Sequence, residues 1–422
     1  MAEDCEFTVL DLFCGAGGLT EGFFRNGFKF ISHIDMDKNA LETLKTRSIY
    51  HALNMAGKDD TYFGYLKGNV SRQDLEKESL SLIEQISGGT INHEFVPVNG
   101  DKILSEIDKC RKRLNLKKVD VIIGGPPCQA YSIVGRSRDP KKMKNDTRNY
   151  LYRYYLKLLK HYRPSIFIFE NVPGMKSASG GEILSNFKKE AGECGYTVKD
   201  DLLNAQNFFV LQKRERLIVI GWLKEHELEY PSFAPVRHNY HVSSLLNDLP
   251  RLIPGEGSDG PQVYQKPPSK YLKLAKMRSN KDVLIQHRAR GHNEKDREIY
   301  RIAIDAWNGE NRRLKYDELP ERLKTHKNRK SFRDRFKVIE ADRKYSHSIL
   351  AHISRDGHYY IHSDINQARS LTVREAARIQ SFPDNYKFEG ARRYQFHQIG
   401  NAVPPLMAEG IAGAIKKMLE CI

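Results

Sequence analysis

The chain has 422 residues, of which 40% are hydrophobic, and a net charge of +16; that content supplies a core for two domains, or for one with a large insertion, and makes this a soluble globular protein. No run approaches the roughly 18 apolar residues of a membrane helix, and "MAEDCEFTVL" has no basic head before an apolar stretch, so neither a membrane span nor a signal peptide is expected. The cysteines (Cys5, Cys14, Cys110, Cys128, Cys194, Cys421) form no CxxC pair, which argues against a disulfide framework or a zinc site and for a reducing cytoplasm. The basic balance suits a polyanion, because Lys and Arg displace counterions from phosphates, but charge alone is weak evidence.

Apolar runs and turn signals alternate along the first half. Residues 8–13 read as a strand, followed by a glycine-rich turn, a helix in "LTEGFFRNG" and a strand over 28–35. The stretch 51–98 breaks the rhythm and reads as an insertion. A buried strand over 119–123 follows, then a helix near 150–162, a strand over 165–171 and a helix near 182–194. Two strands around 196–203 and 216–222 complete the series. Alternation of this kind implies an α/β sheet with helices on both faces.

Past 222 the pattern fails. Prolines and glycines cluster in "LPRLIPGEGSDGPQVYQKPP", and 312–344 carries 13 Lys/Arg against 6 Asp/Glu, either a solvated face or a surface that tracks phosphates. At the end, Met407, Ile411, Ile415 and Met418 recur at helical spacing behind two prolines. This looks like a core helix that returns to the first domain. The expected division is therefore a catalytic domain over 1–222 with 51–98 inserted, a second domain and hinge over 223–395, and a returning segment over 396–422.

Four motifs carry chemistry. In "DLFCGAGGLTEGF" (11–23), Gly15, Gly17 and Gly18 let the backbone approach a ligand at a helix amino end, and Asp35 ends the next strand where a carboxylate binds ribose hydroxyls. That fits a nucleoside cofactor, whether NAD, FAD or S-adenosylmethionine; the spacing is not GxGxxG, which weighs against NAD. In "GGPPCQAYS" (124–132), two glycines and two prolines hold Cys128 outside the carboxyl end of a strand, where doubly wound sheets bind ligands. A nucleophilic thiol has to be held near its target, and a stiff backbone reduces the entropy lost in reaching it. Glu170 ends the apolar run "FIFENVPG", a costly place for an acid unless something uses it; burial raises a carboxyl pKa and suits it to hold a proton. In "QKRERLIVIG", Arg214 and Arg216 alternate along a strand and so share one face, where they could pair with Glu170, a phosphate or a base carbonyl.

Together with "RSLTVREAARIQSFP" (369–383) and "QIGNAVPPLMAEGIA", these stretches resemble, in order and across nearly the whole chain, the C5-cytosine-specific DNA methyltransferases of bacterial restriction–modification type. The resemblance implies an α/β fold with a doubly wound mixed sheet, the class I S-adenosylmethionine-dependent methyltransferase fold, with a smaller target-recognition domain inserted. It assigns Cys128 as the nucleophile on cytosine C6, Glu170 as the group on N3, Arg216 to the base carbonyl or to Glu170, and Arg214 to the same pocket. The cofactor S-adenosyl-L-methionine would lie against Phe13, Gly15, Gly17 and Leu19, with Asp35 on the ribose and Asp101 on the adenine amino group. Pro126 and Leu151 would line the pocket, and Asn401 and Val403 would close it. Met36 stands where the family often has an aromatic residue over the adenine.

A cytosine within a duplex cannot present C6 to a thiol, so base flipping is implied. The segment 129–148 resembles the family's mobile active-site loop, with Arg136, Arg138, Lys141 and Lys142 on phosphates, and the basic run 312–344 then reads as one wall of a DNA cleft. The implied partners are double-stranded DNA carrying a short specific site and a separately encoded restriction endonuclease; a cytoplasmic monomer is expected, with no metal. Two alternatives stand beside this reading. One is a tRNA cytosine-5 methyltransferase, whose Cys-Phe-Thr signature is missing here; the other is a DNA-binding relative that has lost activity.

Overall fold

Apolar runs from distant parts of the chain pair into one seven-stranded sheet. The computed structural model describes residues 7–95, 99–127, 151–326, 329 and 332–422. Strands β1 (Thr8–Leu12), β2 (Lys29–Asp35), β3 (Thr90–Asn92), β4 (Val121–Gly124), β5 (Ile166–Asn171), β6 (Tyr196–Asn204) and β7 (Glu215–Leu223) stand in the order β3-β2-β1-β4-β5-β7-β6. Only β7 runs against its neighbours, with Asn171 opposite Leu217 and Asn204 opposite Glu215. The short link between β6 and β7 holds no crossover helix, so the chain reverses there and the sheet is mixed. Strands β4 and β5 are covered on both faces, which is why they read as unbroken apolar runs.

The helices of the first half are α1 (Gly18–Arg25), α2 (Lys38–Met55), α3 (Asp59–Leu66), α4 (Arg72–Ile86), α5 (Gly100–Arg113), α6 (Leu151–Tyr162) and α7 (Glu182–Glu193). Later come α8 (Lys270–Leu274), α9 (Glu294–Glu310), α10 (Val373–Ile379), α11 (Arg392–Asn401) and α12 (Pro405–Leu419). One face of the sheet is covered by α5, α6 and α7 through Ile107, Tyr155, Leu159 and Phe187. The other is covered by α1 and α12, where Phe23, Met407, Ile411 and Ile415 are fully buried. The last helix thus belongs to the core of the first half. Its predecessor does not: Phe396 and Ile399 of α11 pack with Leu245, Tyr271, Ile349 and Phe382, so the return to the sheet begins at Val403.

The stretch 51–98 is less of an insertion than its sequence suggests. Its first residues complete α2, and β3 pairs with β2 as the sheet's edge. The added matter is the pair α3 and α4, whose Tyr62, Phe63, Leu66 and Leu75 pack on Ile49 and Leu53 of α2 and on Ile285.

Beyond β7 the chain is held as much by buried polar groups as by apolar ones. Thr372 and Glu375 form a capping box at the start of α10. Arg369 forks onto the Glu375 carboxylate at 2.7 and 2.8 Å, and Arg378 reaches Asp384 at 2.8 Å and Asp248 at 2.6 Å. Fully buried charges are tolerated because each has its counter-ion and further hydrogen bonds. Among the described residues, no helix is long and apolar enough to cross a membrane.

Candidate active site

Strand order reverses between β1 and β4, and a doubly wound sheet leaves its ligand crevice outside the carboxyl ends of such strands. The glycine-rich turn follows β1 and the proline turn follows β4, so both motifs flank that crevice.

The glycine turn is tied down by neighbours at each residue. Phe13 takes a positive φ of 54° and sets its ring 4.4 Å from that of Phe95. The Gly15 N–H donates to Asp35 Oδ2 at 2.8 Å, and the Asp37 N–H donates to Asp35 Oδ1 at 2.8 Å. Gly17 caps α1 in the left-handed region at φ 83°, where a side chain is strained. Leu19 is buried on α1, and Val403 is buried where the returning chain crosses Gly18. Below the turn, the Asp11 carboxylate accepts from Thr20 Oγ1 at 2.5 Å.

A Cβ built at Gly15 meets no atom of the described residues within 4 Å. Asp35 keeps spare lone pairs on both oxygens; burial raises its pKa, while the N–H donors work the other way. Met36 beside it is 59% exposed, an apolar side chain with nothing of its own to cover. Asp101 is elsewhere engaged: its carboxylate is almost wholly exposed in the first turn of α5 and pairs with Lys157 at 2.8 Å. Asn401 is exposed at the end of α11 with its amide 3.4 Å from the His397 ring. Leu151 is half-buried against the sheet at the start of α6.

At the tips of β4 and β5 the second cluster forms. The Glu170 carboxylate meets Arg216 Nε at 2.8 Å. Burial raises the Glu170 pKa, against the pull of Arg216 and Arg214, and the first effect wins. Gly125 lies directly on Glu170: a Cβ there would stand 2.5 Å from Oε2. The Asn171 side chain donates to the Pro126 carbonyl at 3.2 Å, which fixes the buried start of the proline turn. Cys128 and the segment 129–148 lie outside the described residues.

Arg214 lies one residue before β7, and its carbonyl accepts from the Ala205 N–H at 2.9 Å. Its guanidinium donates to the carbonyls of Ile349 at 2.6 Å and of Gly400 and Ala402, both at 2.9 Å, clamping the "GNAVPP" segment. Its charge lowers the Glu170 pKa. Two residues passed over in the sequence also hold the site: Asn171, whose side chain donates to the Pro126 carbonyl, and Tyr386, whose hydroxyl donates to the Ala16 carbonyl. Nothing local to Tyr386 signals that contact.

The model of the C-5 cytosine-specific DNA methylases matches residues 7–61 and 92–417. The chain belongs to that family. This methylase is 41% identical to Type II methyltransferase M.Bpa9945I of Bacillus paralicheniformis, over 98% of this chain and 99% of that one. It is 29% identical to Type II methyltransferase M.AgeI of Thalassovita gelatinovora, over 97% and 99% of the two chains. Among solved structures it is similar in fold to a prophage-encoded protein of E. coli described as a DNA modification methyltransferase, with a TM-score of 0.66, 22% identity and coverage of 98% and 100%. The mixed sheet and the class I methyltransferase fold agree with that likeness. The family match skips residues 62–91, which contain most of α3 and all of α4. As a methylase the chain requires a methyl donor.

Proposed function

We propose that this chain transfers a methyl group from S-adenosyl-L-methionine to C5 of a flipped cytosine within a short duplex DNA site. The observation that carries the reading is the junction of β4 with β5, where Gly125 rests on the Glu170 carboxylate and Asn171 pins Pro126, two residues before Cys128. On this reading the nucleophile and the acid open on one crevice.

Cytosine C5 is a poor nucleophile, and the chain's own groups correct that. The Cys128 thiolate adds to C6, forming a C–S bond and breaking the C5–C6 double bond. Glu170 holds a proton at N3 and so takes up the electron density pushed into the ring; its raised pKa suits it to that task. Arg216 keeps the carboxyl oriented. The bound cofactor supplies an electrophilic methyl group. Loss of the C5 proton and departure of the thiolate then restore the aromatic ring. Phe13, Gly15, Gly17, Leu19, Asp35, Met36, Pro126, Leu151 and Val403 would hold the cofactor. Asp101 and Asn401 would do so only after leaving their present partners.

The protein is read as a cytoplasmic monomer and as the modification enzyme of a restriction–modification system with a separate endonuclease; support comes from the Type II relatives named above. A duplex with 5-fluorocytosine at the target cannot lose a proton from C5, so it should become covalently attached when cofactor is present. Cys128→Ala should abolish attachment. Attachment to tRNA but not DNA would move the reading to the RNA branch, and no attachment to either would leave a DNA-binding relative without activity.

A further inference from the structure

The basic run that reads in sequence as a wall for phosphates is largely neutralised. Every described Lys and Arg from Arg312 to Arg335 has a carboxylate oxygen within 3.7 Å. Arg322 lies on Glu298, Lys324 and Arg329 share Glu321, and Arg335 reaches Asp356. A phosphate arriving at such a pair meets an anion as well as a cation.

Cations without a carboxylate stand nearby instead. Lys213, Arg237 and Lys344 are exposed, and none makes an ion pair among the described residues. Lys344 donates only to uncharged oxygens, the His238 carbonyl at 3.3 Å and the Asn239 side chain at 3.2 Å. These three side chains line two cavities of about 450 and 540 Å³ that share Lys344 and Tyr345. The carboxylate in the larger cavity, Glu340, is committed to Arg313 at 2.7 Å and His347 at 2.8 Å.

Both cavities adjoin the rim of the sheet, at the strand ends, where Glu170 also lies. Gln206 and Asn207 of the first follow the end of β6, and Lys213 of the second stands three residues before Arg216. The segment around 344–347 is fastened there: the Lys213 N–H donates to the Ser346 carbonyl at 2.9 Å, and the Ser346 N–H to that of Leu211 at 3.0 Å.

We infer that these adjoining cavities receive the sugar–phosphate backbone of the duplex, with Lys213, Arg237 and Lys344 neutralising its phosphates, while the paired run 315–335 stays off it. The inference rests on the DNA reading above. A surface with three uncompensated cations and no spare carboxylate releases counterions on meeting a polyanion; one of paired charges releases few.

The test is duplex binding by fluorescence anisotropy across a salt series. Lys213→Ala, Arg237→Ala and Lys344→Ala should each weaken binding on all sequences alike and reduce the slope of log K against log salt by roughly 1. Arg322→Ala and Arg329→Ala should leave that slope unchanged. Equal slopes for the unmutated protein and the first three variants would overturn the inference, as would a loss confined to the second pair. Binding and methylation of DNA by the unmutated protein are measured alongside: if both are missing, the DNA reading itself falls, whereas DNA methylation with unaltered slopes sinks only the assignment of the cavities.

Discussion

Gly125→Ala tests how the acid is held in place. A Cβ at 125 would stand 2.5 Å from Glu170 Oε2 and 2.7 Å from the Glu170 backbone oxygen, where ordinary contact begins at 3.4 Å. The backbone has little room to yield, because Gly124 is in register with Phe169 and the two strands are buried on both faces. The carboxylate is the softer partner. It has to swing away, and the 2.8 Å contact with Arg216 Nε is lost or redrawn. Overpacking of this kind costs about 1–3 kcal/mol of stability. A catalytic group misplaced by about 1 Å loses roughly 10²-fold in rate. Initial rates with labelled methyl donor and saturating DNA should therefore show kcat reduced by about 10²-fold, with the KM for the cofactor near that of the unmutated protein, since the glycine turn is untouched. A urea titration establishes that the variant is folded. A folded Gly125→Ala protein with undiminished kcat would refute the claim that contact between these strand tips sets the position of Glu170.

Asp35→Ala removes the acceptor for two backbone N–H groups as well as the proposed ribose contact; at about 1.5–3 kcal/mol per charge-assisted bond, cofactor affinity should fall on the order of 10- to 100-fold by calorimetry. Arg216→Gln leaves burial less opposed at Glu170, so its pKa rises further and the limb of the pH–rate profile that belongs to it should move to higher pH; movement to lower pH would contradict the assignment. Arg378→Met takes one guanidinium from two buried carboxylates, leaving Asp248 to Arg278 and Asp384 to Tyr264 and Arg374, and should cost about 3 kcal/mol in urea denaturation, the low end for a broken buried pair. For Glu340, burial is outweighed by the His347 ring and backbone N–H, which bring the carboxyl down to about 2 from the ordinary 4.5. Its stabilisation is therefore present above 4.5 and lost as pH falls toward about 2, and Glu340→Gln should flatten the decline of Tm across that window.

The sheet was legible because β4 and β5 are covered on both faces and so appear as unbroken apolar runs bounded by turns. β3 was not, being three residues long with only its central Ile91 buried. The region after β7 hid its order for another reason. Much of its interior is ionic, as where Arg278 meets Asp248 and Tyr264 reaches Asp384 at 2.7 Å, and such pairs leave no period in a sequence. The same blindness affected the basic run, since its counter-ions include Glu298 and Asp356, beyond the run at either end. The hydrogen-bond partners of Arg214, the carbonyls of Ile349, Gly400 and Ala402, lie far along the chain and so leave no local signal. Glu170, Arg216 and the Gly15–Asp35 contact, by contrast, follow from local pattern, since each lies at or beside the end of a strand.

The position of the cofactor turn depends on charges well outside its motif. Glu21, fully buried on α1, would be pushed up by burial, but Arg47, His51 and Arg25 hold it well below the usual carboxylate range. The same Arg47 donates to the Asn385 side chain at 2.9 Å, while the Tyr62 hydroxyl of α3 donates to the Asn385 carbonyl at 2.8 Å. The next residue, Tyr386, holds the Ala16 carbonyl. The path from the α3–α4 pair to the glycine turn is therefore continuous, through one asparagine and one tyrosine. Buried ion pairs resist removal of either partner far more than they add to stability as a pair, so this path fixes geometry rather than supplying net free energy. On the proposed reading, Tyr62→Phe, which removes the hydroxyl that donates to the Asn385 carbonyl, should weaken S-adenosyl-L-methionine binding measured by calorimetry although residue 62 lies outside the turn; unchanged affinity would refute the link.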